Sequence, residues 1–199
     1  MDTQILSGKV VSESVYKGLK SRIVKLKTNS ITPCLAVVLI GDDAPSHVYV
    51  KNKTKKFASL NLNSETIKLT NETSENALLE IINNLNNDNK YHGILVQLPL
   101  PNHINNETII NAIDPKKDVD GFNPVNLGRL AAGRPSFIPC TPKGIMRVFE
   151  YYKIDLSNKH VVVVGRSNIV GRPISILTSL KRKYSNATTT ICHSGTKNI

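Results

Sequence analysis

The fold of this chain follows from residues 34–57, which read CLAVVLIGDDAPSHVYVKNKTKKF. The first seven residues form an unbroken apolar run, which is typical of a strand buried on both faces in a parallel sheet. Gly41, Asp42 and Asp43 then supply a turn with capping residues, and Pro45 suits the first turn of a helix. The stretch therefore predicts a buried strand followed directly by a helix.

The predicted helix places a phenol and an amine on one face. Tyr49 and Lys53 are four residues apart, so their side chains are neighbours on a helix surface. Lys51, Lys55 and Lys56 would lower the pKa of Lys53 by repulsion if its amine is also partly desolvated. Lys53 is thus a candidate acid/base, although a solvated basic helix with a half-buried Tyr49 is the simpler interpretation of this segment alone.

Strand and helix patterns alternate along the first 150 residues. Apolar residues recur at steps of three and four over residues 5–26, which predicts a packing helix. Residues 64–69 and 93–98 predict two further strands, and residues 73–85 predict a capped amphipathic helix between them. This alternation predicts a parallel α/β sheet with right-handed crossovers.

Ligands of such sheets bind beyond the carboxyl ends of the strands. Gln97 lies at one such end, just before Pro99, and the helix that carries Lys53 begins after another. We therefore expect Gln97 to direct its amide toward the amine of Lys53. The alternative is that Gln97 only ties down the loop that follows it.

An acidic cluster follows at residues 114–122, DPKKDVDGF. It lacks the remaining spacing of a helix-loop-helix calcium site, and Asp beside Pro and Gly commonly forms turns. A single carboxylate can also accept two hydrogen bonds from an amino-heterocycle. Asp120 is the candidate for this recognition, but spacing alone does not choose it over Asp118.

A second strand-turn-helix unit begins at residue 160. HVVVVG at 160–165 predicts a strand, and the GRSNIVGRP turn leads into a helix whose first amides suit a phosphate. The turn is only a weak match to the GxGxxG dinucleotide motif. After the next strand, at 188–192, Ser194 and Thr196 join Arg166 as candidates to contact a ribose or its 2′-phosphate. A tight turn with a solvated arginine is the alternative.

Composition limits the class of protein. The chain has 199 residues, a net charge of +11 and 40% hydrophobic residues, without an apolar run of membrane-spanning length or a secretory signal, so we expect a soluble cytoplasmic protein. Three scattered cysteines fit a reducing compartment, and neither they nor the five histidines have the spacing of a metal site. The basic residues are dispersed and aromatic residues are few, so an anionic small ligand or solubility alone explains the positive charge better than nucleic acid does.

Five motifs together resemble one known family, that of the methylenetetrahydrofolate dehydrogenase/methenyltetrahydrofolate cyclohydrolases. They occur in the family's order and cover nearly the whole chain: YVKNK at 49–53, GILVQLPLP at 93–101, PKKDVDGF at 115–122, PCTPKG at 139–144 and GRSNIVGRP at 165–173.

The resemblance implies a bifunctional enzyme of one-carbon folate metabolism that uses NADP. Its fold would be two-domain α/β, with a three-layer, parallel-sheet folate-binding domain at residues 1–150 and an incomplete Rossmann-like NADP-binding domain at residues 151–199. The enzyme would oxidise 5,10-methylenetetrahydrofolate to the 5,10-methenyl form and hydrolyse that form to 10-formyltetrahydrofolate. The resemblance also suggests a homodimer, whereas the expectation of no nucleic-acid and no membrane partners rests on the composition.

The resemblance also assigns roles to residues. Lys53 would be the central acid/base, Gln97 would tune it, Tyr49 would line the folate site and Asp120 would hold the pterin ring. The implied substrate-binding residues are Tyr49, Val50, Lys51, Asn52, Lys53, Val96, Gln97, Leu98 and Asp120. The implied NADP-binding residues are Gly165, Arg166, Ser167 and Ser194.

The chain differs from the family pattern in one respect, and two other interpretations of the sequence are open. Family members continue well beyond the strand that ends at Cys192, so we expect a C-terminally truncated chain, either a fragment or a shortened and inactive homologue. The Tyr49/Lys53 pair also resembles that of short-chain dehydrogenases, but there the nucleotide glycines precede the pair, whereas Gly165 follows it. A basic, non-enzymatic binding module is the other alternative.

Overall fold

The computed structural model describes residues 3–197, which form two compact units, one at Lys20–Val119 and one made of the remaining described residues. In chain order the elements are α1 (Gly8–Thr28), β1 (Cys34–Ile40), α2 (Ala44–Ser59), β2 (Asn63–Leu69), α3 (Glu75–Asn87), β3 (Gly93–Val96), α4 (Asn106–Ala112), α5 (Pro124–Ala131), α6 (Cys140–Tyr151), β4 (His160–Val164), α7 (Gly171–Ser179) and β5 (Thr188–Cys192).

The Lys20–Val119 unit is built on a parallel sheet with strand order β2-β1-β3. All seven side chains of the central strand β1 are buried, as its unbroken apolar run predicts. On one face Leu35, Val37 and Leu39 pack with Val50 of α2. The alternate side chains of β1 pack against α3 and α4 on the other face. The predicted three-layer α/β arrangement is confirmed.

Local capping explains why α2 begins where it does. Gly41 has a φ of +73°, a left-handed conformation that turns the chain out of β1. Asp43 Oδ2 then accepts hydrogen bonds from the Ser46 hydroxyl at 2.6 Å and the Ser46 backbone N–H at 2.9 Å. These bonds lower the pKa of the Asp43 carboxyl, because they favour its charged form. Pro45 lies in the first turn, as predicted.

The second unit contains the parallel pair β4-β5, in register from His160 opposite Thr188 to Val164 opposite Cys192. Helix α7 packs against this pair and forms a core with α5 and α6. The buried side chains of that core are Leu130, Met146, Ile174 and Leu177. Two parallel strands with one connecting helix match the predicted partial Rossmann-like arrangement.

Two expectations from periodicity need correction. The first helix was expected to pack along its whole apolar stripe, but only Val11 of α1 is buried, and Val15 and Leu26 are 41% and 36% exposed. Periodicity identifies side chains that share a face, not the surface that covers them. The strand expected over residues 93–98 ends at Val96, ahead of Pro99, which has no backbone N–H to donate.

The described chain divides into compact units between Leu19 and Lys20 and between Val119 and Asp120. This division does not test the predicted boundary at residue 150, which stays a prediction. Within residues 3–197, every helix is either too short or too polar to cross a membrane.

At Gly171, the start of α7 approaches the backbone of Gly165 closely. Substitution of Gly171 therefore tests how tightly the second unit is packed. A Cβ at this position would lie 2.2 Å from the carbonyl oxygen of Gly165. We expect Gly171→Ala to lower the free energy of unfolding by about 1–3 kcal/mol, because backbone atoms must shift to admit it. Urea denaturation followed by circular dichroism measures this change.

Gly144→Ala is the matched control for this substitution. Gly144 lies inside α6 with open space at its Cβ position. Alanine there is expected to stabilise the protein by about 0.5–1 kcal/mol, since glycine loses more conformational freedom on folding. Equal effects of the two alanines would contradict the close approach at Gly171.

Candidate functional site

The carboxyl edge of the three-stranded sheet brings Lys53 and Gln97 together. Gln97 follows β3 directly, and its backbone N–H donates to Val38 O of β1 at 2.9 Å. Lys53 lies on α2, the helix that follows the carboxyl end of β1. Lys53 Nζ donates to Gln97 Oε1 at 3.4 Å. This contact agrees with the orientation predicted for Gln97.

A second hydrogen bond fixes the orientation of the Gln97 amide. Gln97 Nε2 donates to the carbonyl oxygen of Leu98 at 2.8 Å. Because the NH2 group of an amide only donates, this bond turns Oε1 toward the amine of Lys53. The ammonium group has three N–H donors, so the contact with Gln97 leaves two for other partners. The arrangement presents a half-buried amine beside a fixed acceptor.

The other predicted substrate residues of this unit differ in exposure. Tyr49, Lys51 and Asn52 are exposed, Leu98 is half-buried, and Val50 and Val96 are buried. Tyr49 is 61% exposed on the helix that carries Lys53. Its phenol is therefore accessible, whereas the side chain of Val50 is committed to the core beneath the helix. Their roles in binding substrate stay predictions.

The two candidate carboxylates of the acidic cluster have different environments. Asp118 is 3% exposed, and its backbone forms a β-bridge with Ile94. Asp120 belongs to the second unit and is partly exposed, with the Cys140 thiol donating to its Oδ1 over 3.9 Å. Accessibility therefore favours Asp120 over Asp118 as the recognition group. Sequence reasoning missed the contact with Cys140, because it joins residues from separate local motifs.

The predicted cofactor residues Gly165, Arg166 and Ser167 lie in the turn between β4 and α7. Gly165 has a φ of +131°, which a residue with a side chain rarely adopts, and the space at its Cβ position is open. Ser167 Oγ accepts hydrogen bonds from the backbone N–H groups of Val170 and Gly171, at 3.1 and 3.3 Å. Ser167 thus holds the turn at the start of α7, and its contact with NADP stays a prediction.

A second loop, at residues 193–197 after β5, lies beside this turn. Arg166 NH1 is 3.3 Å from His193 Nε2. His193 Nδ1 accepts from the Gly195 N–H at 3.0 Å, and Thr196 Oγ1 accepts from the His193 N–H at 2.9 Å. Ser194 is exposed at the tip of the loop. Sequence reasoning assigned no role to His193, since neither its spacing nor a motif identified it.

The donor set of these two loops fits the NADP that the family resemblance implies. Residues 165–173 and 193–197 contain Arg166, Arg172 and Lys197 but no aspartate or glutamate. An acidic residue would suit the free 2′-hydroxyl of NAD, whereas arginine suits a 2′-phosphate. The open space at Gly165 also lets a ligand approach the backbone closely.

Comparison with known sequences covers both parts of the chain. Residues 6–120 match the catalytic domain of the tetrahydrofolate dehydrogenase/cyclohydrolases, and residues 139–199 match the NAD(P)-binding domain of the same enzymes. The chain is 48% identical over 198 residues to the bifunctional protein FolD of Streptococcus agalactiae, covering 99% of this chain and 68% of that protein. FolD of Acetivibrio thermocellus is 47% identical over 199 residues, with 100% and 68% covered.

Solved structures agree with these matches. The bifunctional FolD methylenetetrahydrofolate dehydrogenase/cyclohydrolase of Campylobacter jejuni superposes with a TM-score of 0.93 at 43% identity, covering 98% of this chain and 68% of that one. The Trypanosoma brucei methylenetetrahydrofolate dehydrogenase-cyclohydrolase, solved with NADP cofactor and inhibitor, gives a TM-score of 0.90 at 30% identity, with 98% and 66% covered. The chain belongs to the tetrahydrofolate dehydrogenase/cyclohydrolase family.

Proposed function

We propose that the chain is a bifunctional enzyme of one-carbon folate metabolism, which oxidises 5,10-methylenetetrahydrofolate with NADP and hydrolyses the 5,10-methenyl product to 10-formyltetrahydrofolate. The observation that carries the proposal is the contact of Lys53 Nζ with Gln97 Oε1 at the carboxyl edge of the sheet. An oriented amine at a ligand-binding edge is suited to proton transfer. Family membership supplies the substrate class.

Lys53 is the proposed acid/base of the hydrolytic step. Water adds to the positively charged methenyl carbon and gives up both of its protons in the course of the reaction; one proton is taken up by N5 as the carbon–nitrogen bond to N5 breaks, which leaves the formyl group on N10, and the other is released. Lys53 moves these protons, while Gln97 Oε1 holds the amine in place. Tyr49, four residues before Lys53 on α2, contacts the folate, and Asp120 accepts hydrogen bonds from the pterin ring.

The cofactor residues have a separate task. Bound at this turn, NADP would supply the acceptor for the hydride that leaves the methylene carbon of the folate. Arg166 and Ser194 bind its ribose phosphate, and Gly165 lets the nucleotide lie close to the backbone. Ser167 keeps the turn in shape through its hydrogen bonds to Val170 and Gly171. The protein thus contributes mainly binding and orientation to hydride transfer.

Two absorbance assays on the purified chain test the proposal. One mixes methylenetetrahydrofolate with NADP and follows reduction of the cofactor, and the other follows loss of methenyltetrahydrofolate alone. We expect both reactions. Hydrolysis without reduction would confine the activity to the Lys53 site. Absence of both reactions, together with salt-sensitive binding of nucleic acid, would replace the proposal with a basic binding module.

The remaining expectations are part of the same proposal. The family resemblance suggests a homodimer in the cytoplasm, and sedimentation of the purified chain measures the oligomeric state. The predictions that nucleic acid and membranes are not partners stay predictions.

A further inference from the structure

A cavity of about 640 Å³ opens at the amino edge of the three-stranded sheet, opposite the edge that carries Lys53 and Gln97. Its walls come from the segments that lead into the three parallel strands, together with Ala58 near the end of α2. These wall residues all belong to the Lys20–Val119 unit, and none of them is a proposed folate or NADP residue. The proposed function therefore leaves this cavity unassigned.

Two residues of opposite charge lie side by side in the wall. Lys90 Nζ donates to Glu65 Oε2 at 2.5 Å, and the hydroxyl of Tyr91 donates to the same oxygen at 2.8 Å. These hydrogen bonds lower the pKa of the Glu65 carboxyl, and the bond to Glu65 raises the pKa of the Lys90 amine, so both groups are charged at neutral pH. Each side chain is about half exposed, so the pair is accessible from the cavity.

The ion pair leaves hydrogen-bonding capacity on both partners. Lys90 and Tyr91 both donate to Oε2 of Glu65, and no group within residues 3–197 donates to its Oε1. The ammonium group of Lys90 has three N–H donors, of which Glu65 and the Tyr91 oxygen take two. One negatively charged acceptor and one positively charged donor thus stay available to a ligand.

His92 adds a second donor to the wall. The backbone N–H of Cys34 donates to His92 Nδ1 at 3.2 Å, so the neutral imidazole carries its proton on Nε2. His92 is exposed, and in the described part of the chain no group pairs with its Nε2. Ile31, Ala58 and Leu62 supply the apolar part of the same wall.

The signs of these groups define the ligand. A simple anion attracted by Lys90 would also meet the carboxylate of Glu65, and a simple cation would meet the ammonium of Lys90. A molecule that carries an ammonium and a carboxylate close together avoids both repulsions. Its ammonium donates to Glu65 Oε1, while its carboxylate accepts from Lys90 Nζ and His92 Nε2. An α-amino acid has these two groups on one carbon.

We propose that this cavity binds a free α-amino acid with an aliphatic side chain. Glu65, Lys90 and His92 hold the charged end of the ligand, and its side chain packs on Ile31 and Leu62. The inference goes beyond the folate reactions and does not depend on them, since the cavity shares no residue with the proposed folate and NADP sites.

Titration of the isotope-labelled chain with L-leucine, followed through the NMR shifts of the backbone amides, tests the proposal. We expect saturable shifts confined to the residues around the cavity, at 30–32, 62–65 and 90–92. Two analogues each lack one charge, since 4-methylpentanoate has no ammonium group and 3-methylbutylamine has no carboxylate. Each analogue should bind at least about tenfold more weakly than leucine, as for loss of a hydrogen bond to a charged group.

Single substitutions test whether the ligand lies on the two charges. Glu65→Gln keeps the size of the side chain but removes its negative charge, and Lys90→Met removes the amine. Each should weaken binding of leucine by about tenfold or more. Lys68→Met is the matched control, because Lys68 is exposed on β2 like Glu65 but does not line the cavity. This control should bind leucine like the unmodified chain.

Three results would overturn the proposal. Absence of saturable shifts with leucine would leave the cavity without this ligand. Equal affinity for leucine and one of its analogues would show that a single charge suffices for binding. Unchanged binding in Glu65→Gln and Lys90→Met would place leucine elsewhere on the chain. If a variant unfolds, the two analogues still decide the question on the unmodified chain, and the absorbance assays test the folate reactions separately.

Discussion

Lys53→Met is expected to reduce hydrolysis of methenyltetrahydrofolate to background while NADP-dependent oxidation of methylenetetrahydrofolate stays measurable. Methionine keeps much of the length and apolar volume of the side chain but cannot carry a proton. Loss of a positioned acid/base lowers the rate by about 10²–10⁴-fold. Hydride transfer to NADP needs no proton from Lys53, so its rate falls less. Steady-state kinetics of both reactions on one preparation measures the difference.

Lys55→Met is the matched control for the loss of charge. Lys55 is exposed on the same helix, two residues from Lys53. Its replacement removes one positive charge without touching the contact with Gln97, so both reactions should continue at nearly unchanged rates. Parallel loss of both reactions in Lys53→Met, with folate binding abolished, would make Lys53 a binding residue and contradict its assignment as the acid/base.

The segment 34–57 shows why much of the fold is predictable from sequence. An unbroken apolar run has to be buried on both faces, and β1 is. Asp43 and Pro45 carry local signals for the start of a helix, and α2 begins between them. These signals act over a few residues, so they are visible without knowledge of the tertiary structure. The placement of Gln97 beside Lys53 followed from the rule that parallel strands share one carboxyl edge.

Contacts between segments that are distant in the sequence could not be predicted from these local patterns. Val15 and Leu26 have the spacing of a packed face, yet both are substantially exposed, since spacing does not reveal what covers a helix. The pairing of Arg166 with His193 joins loops 27 residues apart in the sequence. The register of β4 with β5 brings these loops together, and no local pattern specifies that register.

Arg166→Ala is expected to raise the KM for NADP by about 100-fold while hydrolysis of methenyltetrahydrofolate proceeds at its normal rate. A 100-fold change corresponds to about 2.8 kcal/mol, which lies within the range of roughly 1.5–3 kcal/mol for a hydrogen bond to a charged group. Arg166 is exposed and lies in the turn between β4 and α7, so its removal leaves no buried group unsatisfied. The KM for NADP and the rate of hydrolysis, measured on the same variant, test the separation.

Arg166→Lys separates charge from geometry. Lysine keeps the positive charge but lacks the planar pair of donors that grips a phosphate at two oxygens, so it should recover only part of the affinity. Full recovery would mean that the site attracts the phosphate by charge alone, and the planar pair of donors of Arg166 would then have no role. Equal loss of both activities in Arg166→Ala, with unchanged affinity for NADP, would remove Arg166 from the cofactor site altogether.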